Sequence, residues 1–284
     1  MLWLTIALGA EIETRTLEVD GQVWTYHAVA AGADRPLVLT LHGGGGDGKG
    51  YLEKNHWAAV GATERWNVVA PDGLAARPGM PASFRTNPRV WNSGQLRKGS
   101  PRERIDDLRF FRQLLSTVPW DRKHLFITGH SNGGSMTFRL ARELNAQVTA
   151  IAPVLTQYLQ DGTPLARPIP SLHFIGTVDP LIPVAGGERS TPWGRSSVKP
   201  QAEAIENWAR ANGHRAGGKV VSETSTIRKE RFGNHYQVWW LVGHGHAYPG
   251  GRASGLPPGT MGPNTTPVDA TRESAAFFRG FIKR

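Results

Sequence analysis

Hydrophobic and polar positions change period along the chain, and the changes outline a series of elements. Thr16 to Val19 and Val23 to Val29 alternate as half-buried strands do, and Asp20-Gly21 between them is a strong hairpin signal. Leu37 to Leu41 is a short continuous apolar run of the kind buried on both faces of a sheet, and Trp66 to Ala70 repeats it. Ile105 to Val118 switches to helical spacing, with Ile105, Leu108, Phe111, Leu114 and Leu115 on one face. A strand at Leu125 to Thr128, a helix from about Asn132 to Leu144, and strands at Val148 to Val154 and Leu172 to Ile175 follow. The remainder reads as a helix from Gln201 to Ala211, a strand pair over Lys219 to Arg231 and His235 to Val242, and a helix from Thr271 to Ile282. Strands alternating with helices predict an α/β fold, a mainly parallel sheet with helices on both faces and an antiparallel hairpin at its start. Leu74 to Ser100, Pro183 to Pro200 and Pro249 to Pro267 carry the punctuation of long loops, which in such a sheet gather over the strand C-termini.

Composition narrows the function classes. With no cysteine, disulfides, Cys-ligated metals and a thiol nucleophile are excluded. Hydrophobic residues at 39% are too many for a disordered chain, and no apolar run reaches the roughly 18 to 20 residues of a membrane span. Lysine and arginine exceed aspartate and glutamate by 33 to 23, giving +10. The excess gathers between Arg77 and Arg112 without any helix-turn-helix, zinc-finger or RNA-recognition pattern, so a solvated basic loop is expected and no nucleic-acid partner. Met1 to Ala10 is apolar and ends in small residues, like the tail of an export signal without its positive start, or else an unstructured terminus.

Gly129-His130-Ser131-Asn132-Gly133 matches the nucleophile-elbow pattern, in which a sharp strand-to-helix turn presents the serine. The apolar run before it and the helical pattern after it supply the required context. Side chains at 129 and 133 would collide with the neighbouring strand and helix. His42-Gly43-Gly44-Gly45-Gly46, directly after the run Leu37 to Leu41, matches an oxyanion-hole loop, whose glycines let amide N–H groups face a developing negative charge. The amides of Gly44 and Asn132 are the expected donors. The general base must come late in the chain, and both His244 and His246 follow the apolar strand ending at Val242; position alone does not separate them. Asp179, just after the strand Leu172 to Ile175, is the best placed orienting acid. Asp161 and Asp269 compete from polar loop and helix-start contexts, and Asp72, after Pro71, reads as a turn residue.

From about Thr14 to Ile282 the chain resembles the esterase and polyhydroxybutyrate depolymerase family, which includes feruloyl and acetyl xylan esterases. The resemblance rests on Leu41-His42-Gly43, Val90-Trp91-Asn92-Ser93-Gly94, Ile105-Asp106-Asp107-Leu108 with Phe110, the elbow, and the glycine-histidine run ending Tyr248-Pro249-Gly250. It implies an α/β-hydrolase catalytic domain over residues 14–284, with residues 1–13 outside it. It also implies a Ser131–His246–Asp179 triad, since His246 falls on the family's catalytic histidine. The activity implied is ester hydrolysis through an acyl-enzyme, on polyesters or on feruloyl or acetyl esters of plant polysaccharides, without metal or organic cofactor. The expected partner is an ester substrate, polymeric or soluble, acted on by a secreted or periplasmic monomer. Alternatives are a peptidase or amidase on the same fold, or a catalytically idle polymer-binding protein. Family cysteines are replaced here, at Gly44 and from Gln95 onward, and Tyr248 stands where tryptophan is usual. Trp91, Trp193 and Tyr248 are candidate substrate contacts, with a core-anchoring role as the alternative for the two tryptophans.

Overall fold

A computed structural model describes residues 11–96, 98–215, 217–252 and 259–282. The proposed export-signal remnant in residues 1–10 lies outside the described residues. The chain enters the fold with the hairpin of β1 (Glu13–Val19) and β2 (Gln22–Val29). Asp20 and Gly21 have φ of 50° and 72°, and positive φ at both central residues is what a two-residue type I′ turn requires.

The central strands are β3 (Leu37–Leu41), β4 (Asn67–Pro71), β5 (Leu125–His130), β6 (Val148–Val154), β7 (Ser171–Gly176) and β12 (Tyr236–Leu241). With β1, β2, β10 (Lys219–Glu223) and β11 (Ile227–Phe232) they form one ten-stranded sheet, in the order β1-β2-β4-β3-β5-β6-β7-β12-β11-β10. The strands from β4 to β12 pair in parallel, and both edges are antiparallel. Period-two alternation splits the strand side chains between two cores. Leu37, Leu39, Leu41, Leu125 and Ile127 face the layer of α3 (Asp107–Thr117), α4 (Asn132–Glu143) and α5 (Gln201–Ala211). Val38, Val68 and Phe126 face α1 (Gly48–Lys54), α2 (Trp57–Glu64) and α6 (Ala270–Arg279). Phe126 stacks on Phe278 of α6 at 4.6 Å between ring centroids. Among the described residues no helix is long and apolar enough to cross a membrane.

Several elements depart from the sequence pattern for identifiable reasons. Helices α1 and α2 are short and glycine-bearing, with little amphipathic signal. The first is started by Asp47, whose carboxylate accepts the Gly50 N–H at 2.7 Å. The strand pair expected over Lys219 to Val242 is three strands, because Thr224 Oγ1 accepts from the Thr226 and Ile227 amides and turns the chain. The loop from Pro183 to Pro200 contains an exposed polar hairpin, β8 (Gly187–Thr191) and β9 (Gly194–Val198). The basic segment is also not one solvated loop. Arg102 is fully buried, donates to Asp107 at 2.6 Å and lies over the Trp24 ring, while Arg89 faces Asp72 and Arg109 faces Asp20. Arg97, counted in that segment, lies outside the described residues.

His173, inside β7, is buried with both ring nitrogens in use: Nε2 donates to the Thr156 carbonyl at 3.1 Å and Nδ1 accepts from the Tyr236 hydroxyl at 2.9 Å. Burial pushes its pKa from 6.5 down to about 4. The unfolded chain therefore takes up a proton that the folded chain refuses. The stability contributed by neutral His173 is complete above pH 6.5 and is lost progressively as pH falls toward 4. The expected outcome is a melting temperature that drops between pH 7 and pH 5, with a shallower slope in His173→Gln, as measured by thermal denaturation across that range.

Candidate active site

The loop between β5 and α4 presents Ser131 at φ 55° and ψ −121°, a region non-glycine residues rarely occupy and that costs roughly 1–3 kcal/mol. Neighbouring backbone holds it there. Ser131 N–H donates to the Val154 carbonyl at 3.0 Å, and its carbonyl accepts from Thr156 Oγ1 at 2.7 Å. A Cβ on Gly129 would stand 2.5 Å from the Gly133 carbonyl oxygen, and one on Gly133 would run into the carbonyl oxygens of Leu41 and His42. The glycines at 129 and 133 thus allow the end of β3, the end of β5 and the start of α4 to meet.

The glycine loop after β3 is fixed from three sides. His42 is buried; its Nε2 accepts the Gly73 N–H at 2.8 Å, which leaves the proton on Nδ1 to donate to the Gly43 carbonyl at 2.7 Å. Burial lowers its pKa, which keeps that neutral tautomer. Gly45 N–H donates to the Arg89 carbonyl at 2.8 Å, and the Arg89 side chain faces Asp72 at 3.3 Å. Asp72 also accepts the Gly48 N–H at 2.7 Å and lies 3.5 Å from His27. Its burial works to raise the carboxyl's pKa, but His27, the Gly48 amide, His42 and Arg89 together hold it below its ordinary value. Among the described residues, neither the Gly44 nor the Asn132 backbone N–H donates to a protein acceptor. The Asn132 side chain instead clamps the Trp91 segment, accepting from Trp91 N–H at 2.7 Å and donating to Ser93 Oγ at 2.9 Å. That segment is tied in turn to α3, where Asp107 accepts the Asn92 N–H at 2.9 Å.

Asp179 and His246 meet at the ends of β7 and β12. His246 Nδ1 donates to Asp179 Oδ2 at 2.6 Å, and Asp179 Oδ1 accepts the Leu181 and Ile182 amides, each at 2.8 Å. Burial alone would raise the Asp179 carboxyl, but His246 and those amides outweigh it and hold the pKa below its ordinary value. Gly176 permits the approach, since a Cβ there would strike the Gly245 carbonyl oxygen. His244 faces the other way, with Nε2 donating to the Ala247 carbonyl at 2.7 Å. His130 locks the elbow to this loop, donating from Nε2 to the His246 carbonyl at 3.0 Å with its ring 4.9 Å from that of His246. Burial, then the nearby His246, pushes the His130 pKa down to about 3, so no second charge arises beside His246.

Ser131 and His246 open into the same cleft, of about 500 Å³, which is also lined by Gly44, Phe84, Trp193 and Tyr248. No hydrogen bond joins the Ser131 hydroxyl to His246, and catalytic contacts of this kind commonly tighten only as substrate binds. Trp193 and Phe84 pack over the glycine loop with ring centroids 5.4 Å apart, and the Trp193 indole donates to the Phe84 carbonyl at 2.6 Å. Tyr248 lends the cleft an edge, while its hydroxyl is taken up by Trp57 and Thr271.

Trp91 is placed elsewhere. It is fully buried, donates to the His42 carbonyl at 3.0 Å and packs on Phe111, so it supports the glycine loop from behind and does not line the cleft. Asp269 caps α6 and Asp161 accepts the Thr163 amide in a turn, away from the histidines of the cleft. The sequence pattern assigns no site role to His130 or Phe84 and reads Asp72 only as a turn residue. His130 stands in the variable position of the elbow and Phe84 in an irregular loop, while the Pro71-Asp72 pair carries only a turn signal.

No family model matches the chain. It is 28% identical over 277 residues to NocK of Nocardia uniformis subsp. tsuyamanensis, named by assignment as an esterase, across 85% of this chain and 75% of that protein. It is 26% identical over 184 residues to feruloyl esterase B of Piromyces equi, across 59% of this chain but only 33% of that longer protein. Among solved structures, acetyl xylan esterase from Aspergillus awamori superposes with a TM-score of 0.55 at 13% identity, covering 82% of this chain and 94% of that one. The structural likeness establishes the shared architecture. The chain therefore has the α/β-hydrolase fold and is similar in sequence to carboxylic-ester hydrolases.

Proposed function

We propose that the protein is a serine carboxylic-ester hydrolase in which Ser131, His246 and Asp179 act as nucleophile, base and orienting acid. The observation that carries this reading is the buried His246–Asp179 hydrogen bond on the wall of the cleft into which the strained Ser131 opens. Asp179, itself satisfied by two amides, fixes the proton of His246 on Nδ1 and leaves Nε2 free to take one. Ser131 Oγ adds to the ester carbonyl as its proton passes to His246 Nε2, and the C=O electron pair moves to oxygen. The amides of Gly44 and Asn132 hold that oxyanion, each worth about 3–4 kcal/mol in comparable sites. Collapse expels the alcohol, which takes the proton from His246. Water, deprotonated by the same nitrogen, then adds to the acyl-serine, releasing the acid and restoring the hydroxyl.

The open cleft and its aromatic wall of Phe84 and Trp193 suit polyesters or feruloyl and acetyl esters of plant polysaccharides.

Ser131→Ala is expected to lower kcat/KM for p-nitrophenyl butyrate by on the order of 10⁴-fold or more with an unchanged circular dichroism spectrum. Turnover within tenfold of wild type would contradict the assignment. Asp72, which holds the glycine loop through Gly48 and Arg89, is read as a positioning residue. Asp72→Asn should reduce kcat about 10- to 100-fold with KM changed less than twofold, because the loop's amides meet only the charge that develops in the transition state. Steady-state kinetics that place the loss in KM would argue against this role.

A further inference from the structure

The cleft carries positive charge that the hydrolytic steps do not use. Lys54, the last residue of α1, and Arg252 both line it, and the Arg252 N–H donates to the Lys54 carbonyl at 2.9 Å, so the two cations rise from adjoining backbone. Both are exposed. Among the described residues neither lies within 4 Å of a carboxylate, unlike Arg89, Arg102 and Arg109, each of which has an acidic partner. Residues 253–258, which follow Arg252, include no acidic residue.

Asn55 lines the cleft beside them. Gly251 brings the segment close, for a Cβ there would stand 2.5 Å from Asn55 Oδ1. Asp47 is the acid on the cleft wall, and its carboxylate is engaged by the Gly50 amide as the cap of α1. The balance of Lys54, Arg252 and Asp47 is one positive charge. Phe84, Trp193 and Leu181 contribute apolar surface to the same cleft.

We infer that the cleft selects esters bearing a free carboxylate, which Lys54 and Arg252 receive while the ester group lies at Ser131. This deepens the proposed ester hydrolysis and rests on it. Such substrates include half-esters of diacids and hydroxy-acid oligomers with a free acid end. An ammonium and a guanidinium lining a cleft attract a carboxylate through a short, salt-screened interaction and leave the neutral apolar portion to the rest of the wall.

The test compares monomethyl glutarate, an ester carrying one carboxylate, with its neutral counterpart dimethyl glutarate. Binding to Ser131→Ala protein is followed by NMR titration, so the readout needs no hydrolysis and stands apart from the assignment of the nucleophile. Binding of the anionic ester is expected to be about tenfold tighter. That preference should fall to within twofold in the Lys54→Gln/Arg252→Gln double variant and in 0.5 M NaCl, with each single variant intermediate. In wild-type enzyme, the kcat/KM ratio of p-nitrophenyl hemiglutarate to p-nitrophenyl butyrate should fall about tenfold on the double substitution. Equal affinity for the two glutarates, a preference that survives the double substitution, or equal losses on both nitrophenyl esters would overturn the inference. If Ser131→Ala kept wild-type turnover, the hydrolytic reading would fail instead, whatever the titration gave.

Discussion

The carbonyl oxygens of Leu41 and His42 occupy the space that any side chain at position 133 would need, and Gly133 in turn leaves no room for one at position 129. This close approach of three backbone segments lets β3 deliver its glycine loop and β5 deliver its serine to one point. The parallel pairing of β3 with β5 sets the direction of both chains, with Leu41 opposite Gly129 in the last register pair. The unfavourable backbone geometry of Ser131 persists because Val154 and Thr156 hold its peptide groups from the neighbouring strand end. Strain at the serine is thus supported by the sheet, and the sheet's two cores supply the stability that offsets it.

Around this point the protein arranges buried polar groups so that each has a fixed proton. His42, His130, His173 and His244 have lowered pKa values through burial, and each places at least one ring nitrogen in a hydrogen bond to a carbonyl. Asp72 and Asp179 remain ionised below the ordinary carboxylate range because amide and histidine partners outweigh the cost of burial. The two kinds of group divide the work. Neutral histidines act as spacers between backbone segments, whereas the two ionised carboxylates orient a loop and a ring. Asp107, with its pKa raised by burial despite Arg102, is a third buried acid with a structural task, linking α3 to the segment that Asn132 clamps.

Much of this was legible in the sequence because it depends on local rules. Alternation over residues 16–29 and the Asp-Gly pair specify a hairpin whatever surrounds them, and four apolar residues out of five at Leu37 to Leu41 suffice for a strand with a core on each side. Gly129 and Gly133 mark the elbow because the required contacts are close in sequence. Features set by distant contacts were not legible. Position in the loop left His244 and His246 open, and the difference lies in which ring faces Asp179, 67 residues away. Trp91 has the same loop context as Trp193, yet one is sealed beneath His42 and the other exposed, through contacts with residues 49 and 109 positions distant. Asp72 reads as a turn because its partners Gly48, His27 and Arg89 come from three separate segments. Helices α1 and α2 escaped for a related reason, being held by Asp47 and by packing against α6 and the strands more than by a periodic face of their own.

The central claim is that Ser131 is a nucleophile activated through His246, and covalent trapping tests it most directly. Protein treated with a fluorophosphonate and digested for mass spectrometry should carry one adduct, on the peptide containing Ser131, with labelling abolished or strongly slowed in His246→Ala. A protein that takes up no adduct, or carries it on another residue at a rate indifferent to His246, would contradict the account.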